Sequence, residues 1–305
     1  MPTRPFDDWT VLHTRGAGVR RIADLLATGE SHRIRGDLHT TAAETGAEIL
    51  VARHLTSSTL LPQVVPHHVD PSAVASVVGA IGTGPHGAAV AAVSARLASV
   101  LGVPGRLVAA STSTDRDSAA AVALDRSANA APGLDRSVRR VSDVTDVVRT
   151  MSPDAVLVLG APGGSWLQRH FSGPGRKLTL RAPGGVLLVR DAPVRCFRRL
   201  DDWRAFGPEM RVDDVLRVLT SAAAPIVVDR WIVGIVRRSR LEAAPSGAAA
   251  GTVMEAPLSI RWDAPVSAAG EISERLDGAP VPVVGPDGRL IGEVRPDDGG
   301  GKARR

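Results

Sequence analysis

The amino-acid sequence predicts an α/β protein in which a doubly wound parallel five-stranded sheet precedes a smaller C-terminal α+β module. Five short apolar runs alternate with helical patterns between residues 76 and 190. Glycines cluster where the first and the fourth run end, and two similar units repeat beyond residue 210. Alternation of strand and helix is the pattern of a parallel sheet covered on both faces.

Taken in order, residues 1–70 are expected to form a helical extension of unknown role. Val19, Ile22, Leu25 and Leu26 share one face of a helix ended near Gly29, and Thr41-Ala-Ala-Glu44 has the form of a capping box before AEILVARHL. An α/β domain over 75–191 comes next, with strands SVVGAI (76–81), RLVAAS (106–111), VRRVS (138–142), DAVLVLG (154–160) and GVLLVR (185–190). Val90, Val93, Leu97, Val100 and Leu101 recur at helical spacing after the first strand. Val144, Val147, Val148 and Met151 do so before the fourth, behind a Ser142 or Asp143 cap. Residues 192–209 have no period and read as a linker, 210–298 hold the two repeats, and the glycine-rich 299–305 is a flexible tail.

In doubly wound sheets a ligand sits beyond the carboxyl ends of the strands, where strand order reverses. Two glycine sets fall there. Gly82, Gly84 and Gly87 spell G-x-G-x-x-G, and Gly160, Gly163 and Gly173 stand as G-x2-G-x9-G. Glycines at a strand end let the backbone approach phosphate, and the amides of the following helix start meet its charge. A dinucleotide-binding turn would also need an acid at the end of the second strand for the ribose hydroxyls. That strand ends in Ser111-Thr-Ser-Thr114, and the first acid, Asp115, comes several residues later.

The segment LVLGAPGGSWLQRHFSGPGRKLTLRAPGGVLLVR resembles the nucleotide-binding signature and last strand of the universal stress protein family, over about 115 residues of this chain. The resemblance implies a mononucleotide fold with the phosphates of ATP or another adenine nucleotide over Gly160, Gly163 and Gly173, and Gly82 and Gly84 at the first strand-to-helix crossing. It also implies a homodimer. Two residues depart from the pattern: Gly82 stands where ATP-binding members carry an acid, and Pro174 removes a hydroxyl and an amide donor.

The repeats run from Met210 to Leu241 and from Pro257 to Asp298, each with a helix, an apolar strand, a turn and a second strand of the form h-h-G-h-V. In the second the turn is Gly285-Pro-Asp-Gly288, good hairpin chemistry. Both units resemble the cystathionine-β-synthase (CBS) domain, which normally occurs as a tandem regulatory pair. In nucleotide-binding members a Thr or Ser, followed three residues later by Asp, sits just after the second strand. The resemblance therefore puts Asp298 on a ribose, with Arg295 in the hydroxyl position, whereas Arg237-Arg-Ser-Arg240 in the first unit has neither residue.

Composition removes several function classes. The formal net charge is +5, yet only Lys177 and Lys302 among 37 basic residues are lysine, and the arginines are spread without a stripe suited to nucleic acid. A single cysteine, Cys196, rules out a disulfide framework within the chain. No apolar window is long enough for a membrane span. His67 and His68, adjacent in a proline-rich loop, and His54 and His86 lack metal-ligand spacing. There is no G-x-S-x-G elbow, H-E-x-x-H or Walker lysine, and the absence of tyrosine removes the Tyr–Lys pair of short-chain dehydrogenases. The expectation is a cytoplasmic, non-enzymatic stress or regulatory protein that senses an adenine nucleotide and so changes its grip on an unidentified protein partner. The alternatives are a nucleotide-free interaction scaffold with decayed pockets and an NAD(P)-dependent Rossmann enzyme.

Overall fold

The computed structural model describes residues 6, 8–56, 60–111, 113–142, 146–161, 182 and 184–296. The chain divides into two units, Met1–Ala192 and Pro193–Arg305.

The first unit is built on a mixed nine-stranded sheet. Five strands come from the region where apolar runs alternate with helices: β5 (Ser76–Ile81), β6 (Gly105–Ser111), β7 (Asp135–Arg140), β8 (Ala155–Gly160) and β9 (Val186–Arg190). They are mutually parallel in the order β9-β8-β5-β6-β7. The chain leaves β5 toward one side and returns on the other, so strand order reverses between β5 and β8. Helix α3 (Gly87–Leu101) buries Val90, Val93 and Leu97 and crosses β5 at Gly79. A Cβ on Gly79 would lie 2.6 Å from Ser94 Oγ and 2.7 Å from Leu107 Cδ2, so the helix approaches only because that side chain is missing. Helix α4 (Thr114–Ala128) joins β6 to β7, and α5 (Asp146–Arg149) precedes β8.

The other four strands correct the five-stranded expectation. They are β1 (Val11–His13), β2 (His32–Arg33), β3 (Ile49–Val51) and β4 (Gln63–His67). All four lie in the stretch expected to be a helical extension. They run parallel in the order β2-β1-β3-β4, and β4 pairs antiparallel with β9 through Val65↔Leu188 and its neighbours. The expected amphipathic helix is present as α1 (Ala17–Leu26), burying Val19, Ile22, Ala23 and Leu26. The capping box is not. Asp37 caps α2 (Leu38–Thr45) by accepting from the Thr40 amide at 2.9 Å, and Gly46 closes the helix in the left-handed conformation. Beyond that cap, Ile49-Leu50-Val51 is a fully buried strand because β1 and β4 flank it. His67 likewise ends a strand instead of lying in a loop.

The two halves of the sheet trace one path. Each begins at an inner strand, winds outward, and returns across it, so a second reversal lies between β1 and β3. The antiparallel β4–β9 junction makes the halves approximate two-fold mates, the first lacking an outermost strand. Buried Glu48 ties the N-terminal segment to this frame, accepting from the amides of Asp8 at 3.1 Å and Trp9 at 2.9 Å.

The second unit contains the repeats and also takes up residues 193–206, expected to lie in a linker. Val194, Cys196 and Phe197 pack into its core, Cys196 N–H donates to Ala264 O at 2.9 Å, and Phe206 bridges to Ile226. Burial pushes the Cys196 thiol up to about 11. The first repeat runs α6 (Val212–Val218), β10 (Ala223–Val228), β11 (Trp231–Arg237) and α7 (Arg238–Glu242). The second runs β12 (Ile260–Arg261), α8 (Ala269–Arg275), β13 (Val281–Val284) and β14 (Leu290–Val294). Each hairpin carries a register shift at the matching place, between Ile226 and Val227 and between Val283 and Val284.

Each repeat also crosses the other. The segment entering the first pairs with the last strand of the second at Asp201↔Glu293, and the segment entering the second pairs with β11 at Ile235↔Glu255. The glycine of each h-h-G-h-V strand is set by this crossing. A Cβ on Gly234 would lie 2.9 Å from Glu255 O, and one on Gly292 would lie 3.2 Å from Asp201 O.

Candidate functional site

The candidate site lies at the carboxyl ends of β5 and β8, where strand order reverses. β5 runs into Gly82-Thr-Gly84-Pro85-His86 and then α3, while β8 ends at Gly160. The fold itself makes no demand for glycine at 82 or 84. Neither has a positive φ, and a Cβ on either would meet nothing within 4 Å. Gly160 differs, because a Cβ there would lie 3.1 Å from His86 Cβ and 3.5 Å from His86 Cδ2. Its bareness makes room for the imidazole. Gly87 serves packing, since a Cβ would fall 2.3 Å from Ser127 Oγ on α4.

His86, which sequence spacing leaves without a role, holds three strand ends together. It precedes α3, which starts after β5; its ring lies against Gly160 of β8; and its Nδ1 accepts from the Asp191 amide just after β9, at 3.1 Å. An accepting ring nitrogen carries no proton, so the neutral ring is protonated on Nε2. Nε2 is buried and has no hydrogen-bond partner among the described residues. Burial, followed by the charge of Arg190, holds the His86 pKa below the usual histidine range. The sequence signal that marks this residue is a histidine directly before the helix that G-x-G opens.

His67 is also held low, by burial and then by His68 and His54. Below about 6.5 the unfolded chain takes up protons that the folded chain refuses, so stability is expected to fall as pH drops through that value. Urea midpoints at pH 7.5 and pH 5.5 check this, and a His86→Phe variant should show a shallower loss.

Gly163 and Gly173, the other members of the second glycine set, lie outside the described residues, as does Asp298. An acid does stand near the end of β6, but it is Asp117, and Arg140 pairs with it.

In the second unit the arginine at the hydroxyl position of the first repeat is held by its neighbours, while that of the second is largely exposed. Arg237 Nε donates to Glu255 at 3.0 Å and Nη1 to Asp277 at 2.6 Å, with a further bond to the Arg275 carbonyl. Its counterpart Arg295 lies 3.8 Å from Asp201. In both repeats the arginine three residues beyond the glycine faces the acid of the crossing segment. Three acceptors make Arg237 the stronger link, and its bond to Glu255, joined by one from Arg240, holds that carboxyl below the usual carboxylate range. Arg237→Ala is expected to cost about 1 kcal/mol, measured by urea denaturation, because Glu255 keeps its 2.8 Å bond from Arg240 and Asp277 is largely open to water.

Among the described residues no cluster of His, Cys, Asp or Glu has the makings of a metal site, and no helix is long and apolar enough to cross a membrane.

No family model matches the chain, and no curated protein sequence does. Similar solved structures are CBS-pair proteins over about a third of the chain. The CBS-pair protein CBSX2 from Arabidopsis thaliana is 22% identical over 34% of this chain and 89% of its own, with a TM-score of 0.31. A structure of CBSX2 in complex with AMP is 27% identical over 30% of this chain and 81% of its own, with a TM-score of 0.27. The CBS domains of a transcriptional regulator from Streptococcus pneumoniae are 18% identical over 34% and 95%, with a TM-score of 0.31.

Proposed function

We propose that the protein is a cytoplasmic, non-enzymatic regulator that binds an adenine nucleotide at the β5/β8 crevice and thereby changes its hold on a protein partner. The supporting observation is the furnishing of that crevice: open glycines at 82 and 84 on the approach to the α3 N-terminus, at a reversal of strand order. A regulatory effect requires only that the nucleotide bind one arrangement of the chain better than another. The universal-stress-protein likeness of the α/β unit and a homodimeric state belong to the same reading.

A nucleotide-free scaffold is the second reading, and a specific observation favours it. The arginine that replaces the hydroxyl in the first CBS-like repeat is bonded to acids of its own unit, which argues against a nucleotide there.

Thermal shift of the full chain with ATP, ADP, AMP, cyclic di-AMP and NAD separates the two. AMP enters the panel as the nucleotide of the CBSX2 complex. Saturable stabilisation by an adenine nucleotide, of about 2.7 kcal/mol at a hundredfold excess over Kd, is expected. Gly84→Asp should abolish it, since the added carboxylate has space but repels phosphate. A flat response to all five favours the scaffold.

A further inference from the structure

Resting on the nucleotide-site reading, we propose that His86 is the ligand-contacting donor of the β5/β8 crevice, its Nε2–H meeting an oxygen of the ligand's phosphate. Joining the ends of β5, β8 and β9 requires of this side chain one acceptor for the Asp191 amide and enough bulk to lie on Gly160. Nδ1 and the ring face satisfy both requirements. The second nitrogen is then superfluous to the fold, and it is costly, because a buried donor without an acceptor forfeits its hydration. Such an orphan at a site of strand reversal is explained if the acceptor arrives from outside.

The chemistry of that acceptor is dictated by the tautomer. The Asp191 amide fixes the proton on Nε2, so the crevice offers a donor and selects against a ligand group that also donates. Around the same turn lie the amides of Thr83 and Gly84 and those that open α3, Pro85 contributing none, with open space above both glycines. A convergence of N–H groups suits an anionic oxygen, and a phosphate has enough oxygens to meet the imidazole and the helix start together. Arg190 is held elsewhere through Nη1, which donates to Thr56 O at 2.8 Å. His86 is then the uncharged donor of fixed tautomer at this end of the crevice.

Calorimetric titration of the full chain with ATP tests this, alongside His86→Phe, which keeps a ring against Gly160 but has no nitrogen, and His86→Gln, which keeps a donor. The expected result is ATP binding by the wild type, a Kd raised roughly 10- to 100-fold in His86→Phe, and partial recovery in His86→Gln. In the wild type, ¹⁵N spectra should show the ring proton on Nε2 and a shift of that resonance as ATP is added. If the wild type binds ATP and His86→Phe binds it equally well, the assignment of His86 is overturned while the nucleotide site stands. If the wild type does not bind ATP, the titration is repeated with ADP, AMP, cyclic di-AMP and NAD; binding of none of them overturns the nucleotide reading, and this inference with it. Should His86→Phe fail to fold, the Nε2 resonance and His86→Gln decide: an unmoved resonance in an ATP-binding wild type overturns the role.

Discussion

Truncating Leu187 to alanine is expected to destabilise the α/β unit by about 3–5 kcal/mol and to loosen both halves of its sheet together. Leu187 is fully buried in the centre of β9, opposite Pro66 of β4 on one side and Val158 of β8 on the other. Its cluster includes Val19 and Ile22 of α1 as well as Val90 and Val93 of α3. A cavity there removes contacts from a core that residues 1–70 and residues 75–191 share. Urea denaturation measures the loss, and hydrogen exchange shows where it falls. Amides of β3 and β4 should lose protection in step with those of β5 and β8. Unchanged exchange in β3 and β4 would mean that the N-terminal strands form a separately stable layer.

Gly234→Val should have a comparable effect in the second unit, about 3–5 kcal/mol, for a different reason. The new Cβ would lie 2.7 Å from Met254 Sδ, which can turn aside, and 2.9 Å from Glu255 O, which cannot move without breaking its pairing. That pairing is reciprocal: Ile235 N–H donates to Glu255 O at 3.1 Å and Glu255 N–H to Ile235 O at 2.8 Å. Shifting the segment also pulls Glu255 from Arg237. Overpacking at about 1–3 kcal/mol and two backbone hydrogen bonds at about 1 kcal/mol each make up the sum. Thermal and urea denaturation check the size. A loss under about 1 kcal/mol, the low end of overpacking alone, would show that the crossing segment is not held as described.

The parts legible in the sequence are those whose pattern is local. β5, β6, β8 and β9 are apolar runs bounded by turn residues, and the glycines of the two h-h-G-h-V strands recur at matching positions because the same crossing presses on both. The N-terminal strands escape detection because they are brief and draw their stability from distant partners. β1 has three residues and β2 only two, both of them exposed, while β4 is paired to a strand more than 100 residues later. Ile49-Leu50-Val51 sits in a run whose spacing suits a helix equally well, and only its neighbours decide. Residues 193–206 lack a period because Val194, Cys196, Phe197 and Phe206 each meet a different non-local partner.

The candidate site shows the same division. Gly82, Gly84 and Gly160 stand out as a motif, but His86 becomes significant only when β8 and β9 are folded beside β5. Arg237 reads in the sequence as the loss of a hydroxyl, and Arg295 as a nucleotide-binding candidate in its place. Their partners, Glu255 and Asp201, lie in segments whose crossing no local pattern announces.

Whether a nucleotide occupies the β5/β8 crevice is tested most directly by hydrogen exchange of the full chain with and without saturating ATP. Slowed exchange is expected at the amides of residues 83, 84, 86–90 and 160–161, around the α3 N-terminus and the end of β8. No change anywhere, or protection confined to residues 237–296, would contradict a nucleotide site in that crevice.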